Sequence, residues 1–313
     1  MRSLPTSYPQ QHTATTLEIK MKKLQILIIT LLICFAFKGN TQVFHLANKF
    51  SNHIEMNNLN GKVKSVKEYR YKLTYNPNDT VKPKKVLDMY FITCYNEQGN
   101  IIKSTQYRKE ASVCRVDEYT YDDKNRVIFY RNSSSDEPNS GMRTTIQYDK
   151  AGNRTNEITI SIRNNQVLAT KTYSHNSKNQ LAIMTNHTDY GNQTDQTFYT
   201  YDSESNIMES RQKTTGGENV SKFSYFPKSK LVSKIAISGF GKAYYFNYRY
   251  DKYKNVISYA KDLGKEEIYS GDELTEYEYD KFNNWIVSKD FIVSQEGIKY
   301  KTDSRKEREI EYF

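Results

Sequence analysis

The sequence predicts an all-β fold, an elongated and coiled antiparallel β-meander built from about eight hairpin repeats. Three observations predict it: a phrase that recurs at a nearly fixed period, turn-forming residues inside each copy, and strand-forming residues between the copies. A period in this range is typical of repeat architectures, in which one supersecondary unit is stacked along the chain.

The repeated phrase begins with a tyrosine or histidine, continues with a short polar run and, in most copies, ends with an apolar residue six positions on. Its eight copies begin 24 to 29 residues apart. We expect the first residue of each copy to be a structural anchor at a strand end that stacks on the neighbouring repeat, because repeated aromatics usually cap a core. The anchors are Tyr95, Tyr121, Tyr148, His175, Tyr201, Tyr225, Tyr250 and Tyr279.

The polar run predicts a tight turn. In the third copy, Asp149 and Gly152 stand at the first and fourth positions, which indicates a type I turn followed by a residue with positive φ and a G1 bulge. We expect the Asp or Asn of each turn to bond to the backbone amides of its own loop. Serine and lysine tolerate positive φ less well than glycine or asparagine, so three turns are expected to be looser. The residues in the position of Gly152 are Gly99, Asn125, Asn179, Ser205, Ser229, Lys254 and Asn283.

The segments between the turns predict strands. Residues 101–107 and 285–293 are rich in β-branched and aromatic residues, which favour strands. A lead-in strand, two strands for each repeat and a closing strand that ends at Phe313 give eighteen strands. Both terminal strands are dense in charge, which suits exposed sheet edges. No linker interrupts residues 59–313, so we expect a single repeat domain there.

With its turn chemistry established, the array resembles the YD-repeat, or RHS-repeat, family of bacterial cell-surface and toxin proteins. The family pattern is roughly Y-D-x-x-G-[RN]-[LIV], and Tyr148 to Asn153 matches it position by position. The resemblance implies long antiparallel sheets that coil, and in large members a hollow shell around a toxin. This chain is too short to enclose a cargo domain. It therefore looks similar to the short, exported, single-array members found in Bacteroidota.

The N-terminal region predicts export. Residues 21–41 resemble a signal peptide, because two lysines precede an apolar run that is too short for a comfortable membrane span. We interpret residues 1–20 as an over-called extension and residues 42–58 as a lead segment, either a short helix or a tail. The expected location is the periplasm or the cell surface, with no membrane span after cleavage. Lipidation of Cys34 is the alternative, although the residue before it is not small.

Composition and motifs exclude several classes of function. Removal of residues 1–41 lowers the net charge from +10 to +6, the remaining charges are interspersed along the strands, and for an exported protein we expect no nucleic-acid partner. The five histidines and three cysteines form no metal-ligand spacing, and no phosphate-binding glycine loop or nucleophile elbow occurs. We therefore predict no catalytic residue, no metal site and no cofactor.

Two hypotheses of function remain. The first is an exported, non-catalytic envelope protein that binds or scaffolds a polysaccharide or a protein partner through tyrosine-rich strands. The second is a carbohydrate-active hydrolase, which requires paired carboxylates on the sheet and at least one raised pKa. Alternating aromatics on a strand share a face, so a wet row is a candidate sugar platform and a buried row belongs to the core. The candidate ligand-binding residues are Tyr69, Tyr71, Tyr244, Phe246 and Tyr248.

Overall fold

The computed structural model describes residues 53–74, 83–134, 137, 140–189, 192–239, 242–262, 272–293 and 299–313. The predicted extension, the predicted signal peptide with Cys34, and most of the lead segment lie outside these residues. One short helix, α1 (His53–Met56), precedes eighteen strands. Within the described ranges, no helix has the length and apolar character needed to cross a membrane. The strands are β1 Val63–Thr74, β2 Lys84–Tyr95, β3 Ile101–Arg108, β4 Val113–Tyr121, β5 Val127–Ser134, β6 Gly141–Tyr148, β7 Arg154–Ser161, β8 Val167–His175, β9 Leu181–Thr188, β10 Gln193–Tyr201, β11 Ile207–Thr214, β12 Gly217–Tyr225, β13 Val232–Gly239, β14 Lys242–Tyr250, β15 Val256–Asp262, β16 Asp272–Tyr279, β17 Trp285–Val293 and β18 Lys299–Tyr312.

The strands form one antiparallel sheet that closes on itself. Each strand pairs with the strand before it and the strand after it, and β1 pairs with both β2 and β18. The structure is therefore a closed eighteen-stranded all-β barrel. The prediction of an elongated, coiled meander is wrong, because the first and last strands are neighbours and leave no edge in the sheet.

Charges that we assigned to exposed edges are instead matched across the closure. The register places Lys67 opposite Glu309 and Glu68 opposite Arg308. At the start of β1, Lys64 Nζ lies 2.7 Å from a carboxylate oxygen of β18. These complementary charges favour pairing of the two terminal strands, and pairing satisfies backbone groups that an open edge would leave exposed. The physical reason for the wrong prediction is that each terminal strand was considered alone.

Each of the eight anchors lies at a break in strand register. The pairing shifts immediately before Tyr95, and it shifts in the same way before the other seven anchors. In seven copies the residue four positions after the anchor has a positive φ, between 58° and 88°. This is the geometry expected of a type I turn that ends in a G1 bulge.

The sixth turn differs from the prediction. Positive φ falls on Lys228 (φ 55°) and not on Ser229. The turn contains one more residue than the others, because the backbone N–H of Phe226 donates to Leu231 O at 3.0 Å. The outgoing strand β13 consequently begins at Val232, one residue later than the repeat pattern predicts.

Turn carboxylates bond to their own loops, as expected. Asp202 Oδ1 accepts from the backbone N–H groups of Glu204 at 2.9 Å and Asn206 at 2.8 Å. In the third turn, the backbone N–H and side chain of Asn153 donate to Asp149 and hold the pKa of that carboxyl below its ordinary value. These groups stabilise turns, which confirms their structural interpretation.

Tyrosine hydroxyls link successive repeats, a role that the sequence did not predict. Tyr148 Oη donates to the carbonyl oxygen of Val127 at 2.9 Å, and Val127 begins the outgoing strand of the preceding repeat. The anchors Tyr121, Tyr201, Tyr225 and Tyr250 make the same bond to Ile101, Leu181, Ile207 and Val232. Phenylalanine has no donor for this bond, which explains why the repeated aromatic is tyrosine.

The two faces of the sheet differ in burial. Phe223, Ile235 and Phe246 are paired in register across three strands, and each is at most 9% exposed. The alternating positions on the other face include Lys222 and Lys234, both exposed. Side chains converge inside a closed sheet and diverge outside it, so we call the first surface the inner face and the second the outer face.

The residues that precede β1 lie against the turns of the last two repeats. Asn58 Nδ2 donates to Tyr253 O at 2.7 Å and to Asn255 Oδ1 at 2.9 Å. The backbone N–H of Asn60 donates to Asn284 Oδ1 at 2.6 Å, and Asn284 Nδ2 donates back to Asn60 O at 2.9 Å. Residues 58–60 therefore fasten the segment that precedes β1 to the turns at the end of the array.

A small core forms where this segment meets the sheet. Leu59 is 7% exposed and packs with Val63, Val66 and Tyr95, all of which are buried. Ile310 of β18 packs against the same cluster. Apolar burial and hydrogen bonds thus reinforce the closure at one place.

The first prediction tests the hydroxyl links. Replacing Tyr225 by Phe removes the bond to Ile207 O (2.9 Å) and leaves a partly buried carbonyl without its donor. We expect the free energy of unfolding to fall by about 1 kcal/mol in urea denaturation. Tyr245→Phe is the control, because Tyr245 lies on the outer face. Equal losses in the two variants would contradict the assigned role.

The second prediction concerns the hydrogen bonds that attach residues 58–60 to the turns of the last two repeats. Asn284 is 1% exposed and bonds to Asn60 and to Tyr312 Oη. Asn284→Ala removes its partly buried bonds to the backbone of Asn60 and to Tyr312 and opens space at a buried position, so we expect a loss of about 3 kcal/mol in the free energy of unfolding. Asn206→Ala is the matched control, because Asn206 occupies the same turn position and donates to Asp202 of its own turn. A smaller loss at position 284 than at 206 would refute the assignment.

Candidate functional site

The predicted ligand-binding residues fall on opposite faces of the sheet. Tyr69 and Tyr71 lie on the outer face, where Tyr69 is opposite Tyr90 of β2. Tyr244 and Phe246 lie on the inner face, since Phe246 is opposite the buried Ile235. The two rows therefore do not belong to a single solvent-exposed binding surface.

The inner row is packed. Phe246 is 7% exposed, and the ring of Tyr248 lies 6.2 Å from that of Tyr259 on the adjacent strand. Burial raises the pKa of Tyr248 to about 12. We expected a buried row to belong to the core, and this row is packed against its neighbours.

The outer row is part of a larger cluster, the tyrosine patch, which consists of Tyr69, Tyr71, Tyr90 and Tyr107. Register places Tyr69, Tyr90 and Tyr107 side by side on β1, β2 and β3. The ring centroids of Tyr90 and Tyr107 are 4.4 Å apart with an interplanar angle of 5°, and those of Tyr69 and Tyr90 are 5.8 Å apart. Tyr71 lies 6.2 Å from Tyr69. All four side chains are half-buried.

Sequence reasoning found half of this patch. Tyr69 and Tyr71 alternate within one strand, which is a pattern visible in the sequence. Tyr90 and Tyr107 stand alone in their strands and join the patch only through cross-strand register. That register can be deduced from the sequence by counting back along each strand from its predicted turn.

Lysines lie over the rings of the patch. Lys67 Nζ is 4.8 Å from the ring centroid of Tyr69 and 5.2 Å from that of Tyr90. Lys85 Nζ is 4.7 Å from the ring centroid of Tyr71. Such contacts hold rings and ammonium groups in place and are worth about 0.5–1 kcal/mol at exposed sites.

Acidic residues of β18 balance these lysines. Lys85 Nζ lies 2.7 Å from Glu307 Oε1, and Tyr69 Oη donates to Glu309 Oε1 at 3.1 Å. Burial, followed by the charge of Glu307, raises the pKa of Tyr71. Arg305, opposite Tyr71, also pairs with Glu307, so three cations and two carboxylates surround the patch and leave one positive charge in excess.

The described carboxylates with resolved pKa shifts are held by cations, amide groups or hydroxyl groups. Burial acts to raise the pKa of Glu68, but the charges of Arg308 and Arg70 outweigh it and the pKa lies below its ordinary value. Among described carboxyl groups with a resolved shift, every pKa is lowered. The part of the chain that the structure describes also places no three His, Cys, Asp or Glu residues to hold a metal ion.

Comparison with known proteins gives only distant likenesses. No family model and no curated protein matches the chain. A porin-like protein from Bacteroides uniformis is 11% identical with a TM-score of 0.44, covering 80% of this chain and 98% of that one. The crystal structure of TcdB2-TccC3-Cdc42 gives 13% identity and a TM-score of 0.36, with 67% of this chain and 13% of that chain covered. The Photorhabdus luminescens Tc holotoxin pore gives 12% and 0.34, with 71% and 14% covered. TM-scores this low establish no shared function.

The third prediction concerns alkaline pH. Burial raises the pKa of Tyr199, Tyr201, Tyr225 and Tyr277 to about 12 each. Unfolded tyrosine titrates near pH 10, so the stability contributed by the neutral rings is complete below about pH 10 and is lost as the pH rises towards 12. We expect unfolding, followed by circular dichroism, to coincide with the late part of the phenolate absorbance change. A single titration near pH 10 with the fold intact would contradict this burial.

Proposed function

We propose that this chain is an exported, non-catalytic barrel of the cell envelope or surface that binds a polysaccharide through the tyrosine patch. The observation that carries the proposal is the set of four tyrosines aligned on the outer face by strand register. Tyrosine combines apolar area with a hydroxyl group and loses little conformational freedom on binding, which suits recognition surfaces.

The charged side chains of the outer face indicate that this face is exposed to water. Oppositely charged side chains pair along it, such as Lys289 with Glu278 at 2.6 Å and Arg211 with Glu218 at 3.1 Å. Lysine and arginine side chains are costly against lipid, so such a face suits an aqueous compartment. The predicted signal peptide and the YD-repeat resemblance support export to the envelope.

The chemistry of the patch favours a neutral polysaccharide. Glu307 pairs with both Lys85 and Arg305, and Glu309 accepts from Tyr69, so these charged groups are already engaged and the single positive charge in excess offers little attraction for an acidic polymer. Sugar rings carry both C–H faces and hydroxyl groups, which complement aromatic rings and phenol groups. A protein partner is the other candidate for the same surface, and the experiment below separates the two.

The hydrolase alternative has less support. It requires a carboxylic acid whose pKa is raised so that it can donate a proton. Neighbouring cations and backbone amides instead lower the pKa of the described carboxylates that have resolved shifts. We therefore propose binding without turnover.

The fourth prediction tests the patch with purified protein and a panel of neutral and acidic polysaccharides. Tyr90→Ala and Tyr107→Ala are each expected to weaken binding of a neutral polysaccharide by about tenfold, the usual scale for loss of a central aromatic contact. Tyr245→Ala is the matched control, because Tyr245 also lies on the outer face with a lysine, Lys234, 4.6 Å from its ring.

Three outcomes would contradict the proposal. A loss of affinity in Tyr245→Ala as large as that in Tyr90→Ala would make the effect nonspecific. Binding of no polysaccharide would direct attention to a protein partner. Release of shorter sugars from any polymer on the panel would establish the hydrolase alternative in its place.

A further inference from the structure

A cavity of about 240 Å³ lies on the inner face beside the closure. Its walls come from β1, β2, β18 and the first residue of β3, together with Asn57 and Leu59, which precede β1. Val66 and Phe91 form an apolar side, whereas Arg308 contributes a charged group. The cavity is on the opposite face from the tyrosine patch, so the two sites are independent.

Two guanidinium groups share one carboxylate in this cavity. Arg308 Nε and Nη2 donate to Glu68 Oε2 at 3.0 and 2.9 Å. Arg70 Nε donates to Glu68 Oε1 at 3.0 Å. Two positive charges and one negative charge leave the cluster with one uncompensated positive charge.

Arg308 has one nitrogen left over. Its guanidinium lies 3.3 Å from the ring centroid of Trp285, which fixes the plane of the group. Nη1 is buried and, within the described residues, has no hydrogen-bond partner. A buried charged donor without an acceptor is costly, and native structures rarely leave one unsatisfied.

We propose that this cavity binds a small organic monocarboxylate, with its carboxylate on Arg308 Nη1 and its hydrocarbon part against Val66 and Phe91. One negative charge compensates the cluster, and guanidinium groups are well suited to carboxylates. The apolar side complements a short hydrocarbon chain or a single ring. Water would satisfy the donor but would leave the charge uncompensated.

The fifth prediction compares matched ligands. Butyrate and benzoate are titrated into the purified protein by calorimetry, with butyramide and benzamide as neutral ligands of nearly the same shape. We expect the carboxylates to bind and to raise the melting temperature, and the amides to bind at least about tenfold more weakly. Equal affinities for acid and amide, or no binding of either acid, would overturn the proposal.

Variants locate the site. Thr93 lines the cavity, so Thr93→Leu is expected to reduce carboxylate affinity by about tenfold or more by filling space while leaving Arg308 in place. Arg308→Lys keeps the charge and removes Nη1, and it should weaken binding to a similar extent. Arg211→Lys, at an exposed position on the outer face, is the control and should bind as the unmodified protein does.

The outcomes remain decisive if Arg308→Lys fails to fold. Carboxylate binding to Thr93→Leu at unchanged affinity would refute the cavity as the site. Tyr90→Ala should weaken polysaccharide binding but leave carboxylate binding unchanged, so failure of one proposal is distinguishable from failure of the other.

Discussion

Pairing of β1 with β18 is the interaction on which the rest of the structure depends. These strands are separated by more than two hundred residues, and bringing them together costs chain entropy that local turns do not repay. The closure repays it with backbone pairing, with matched charges such as Glu68 and Arg308, and with the buried cluster around Val63. Both proposed sites lie at this junction, on opposite faces of the same strands.

The repeated phrase predicts the turns well because the geometry of each turn depends on residues within the phrase itself. Positive φ at Gly152 and the register break at Tyr148 follow from side chains within a few residues of each turn. The extra residue of the sixth turn shows the limit of this reasoning, since positive φ falls on Lys228 and the outgoing strand begins one position late. Closure was not predictable in the same way, because it depends on how strands far apart in the sequence match.

The candidate sites show the same difference between residues that are close in sequence and residues that meet only in the folded sheet. Tyr69 and Tyr71 were predicted because they alternate within one strand, but Tyr90 and Tyr107 are brought to them by register. Arg308 is one cation among many in β18 until the closure places it opposite Glu68. Residues within a turn or a strand are therefore accessible from sequence, whereas residues that meet across the closure require the assembled sheet.

Hydroxyl links between repeats have a consequence for the evolution of such chains. Each repeat contributes two strands, and five of the eight anchors donate one bond to the repeat before, as Tyr148 does to Val127. Duplication or deletion of a whole repeat changes the strand number by two, so the first and last strands still run antiparallel. The circumference of the barrel is thus free to vary among descendants in steps of one hairpin, whereas gain or loss of a single strand destroys the junction.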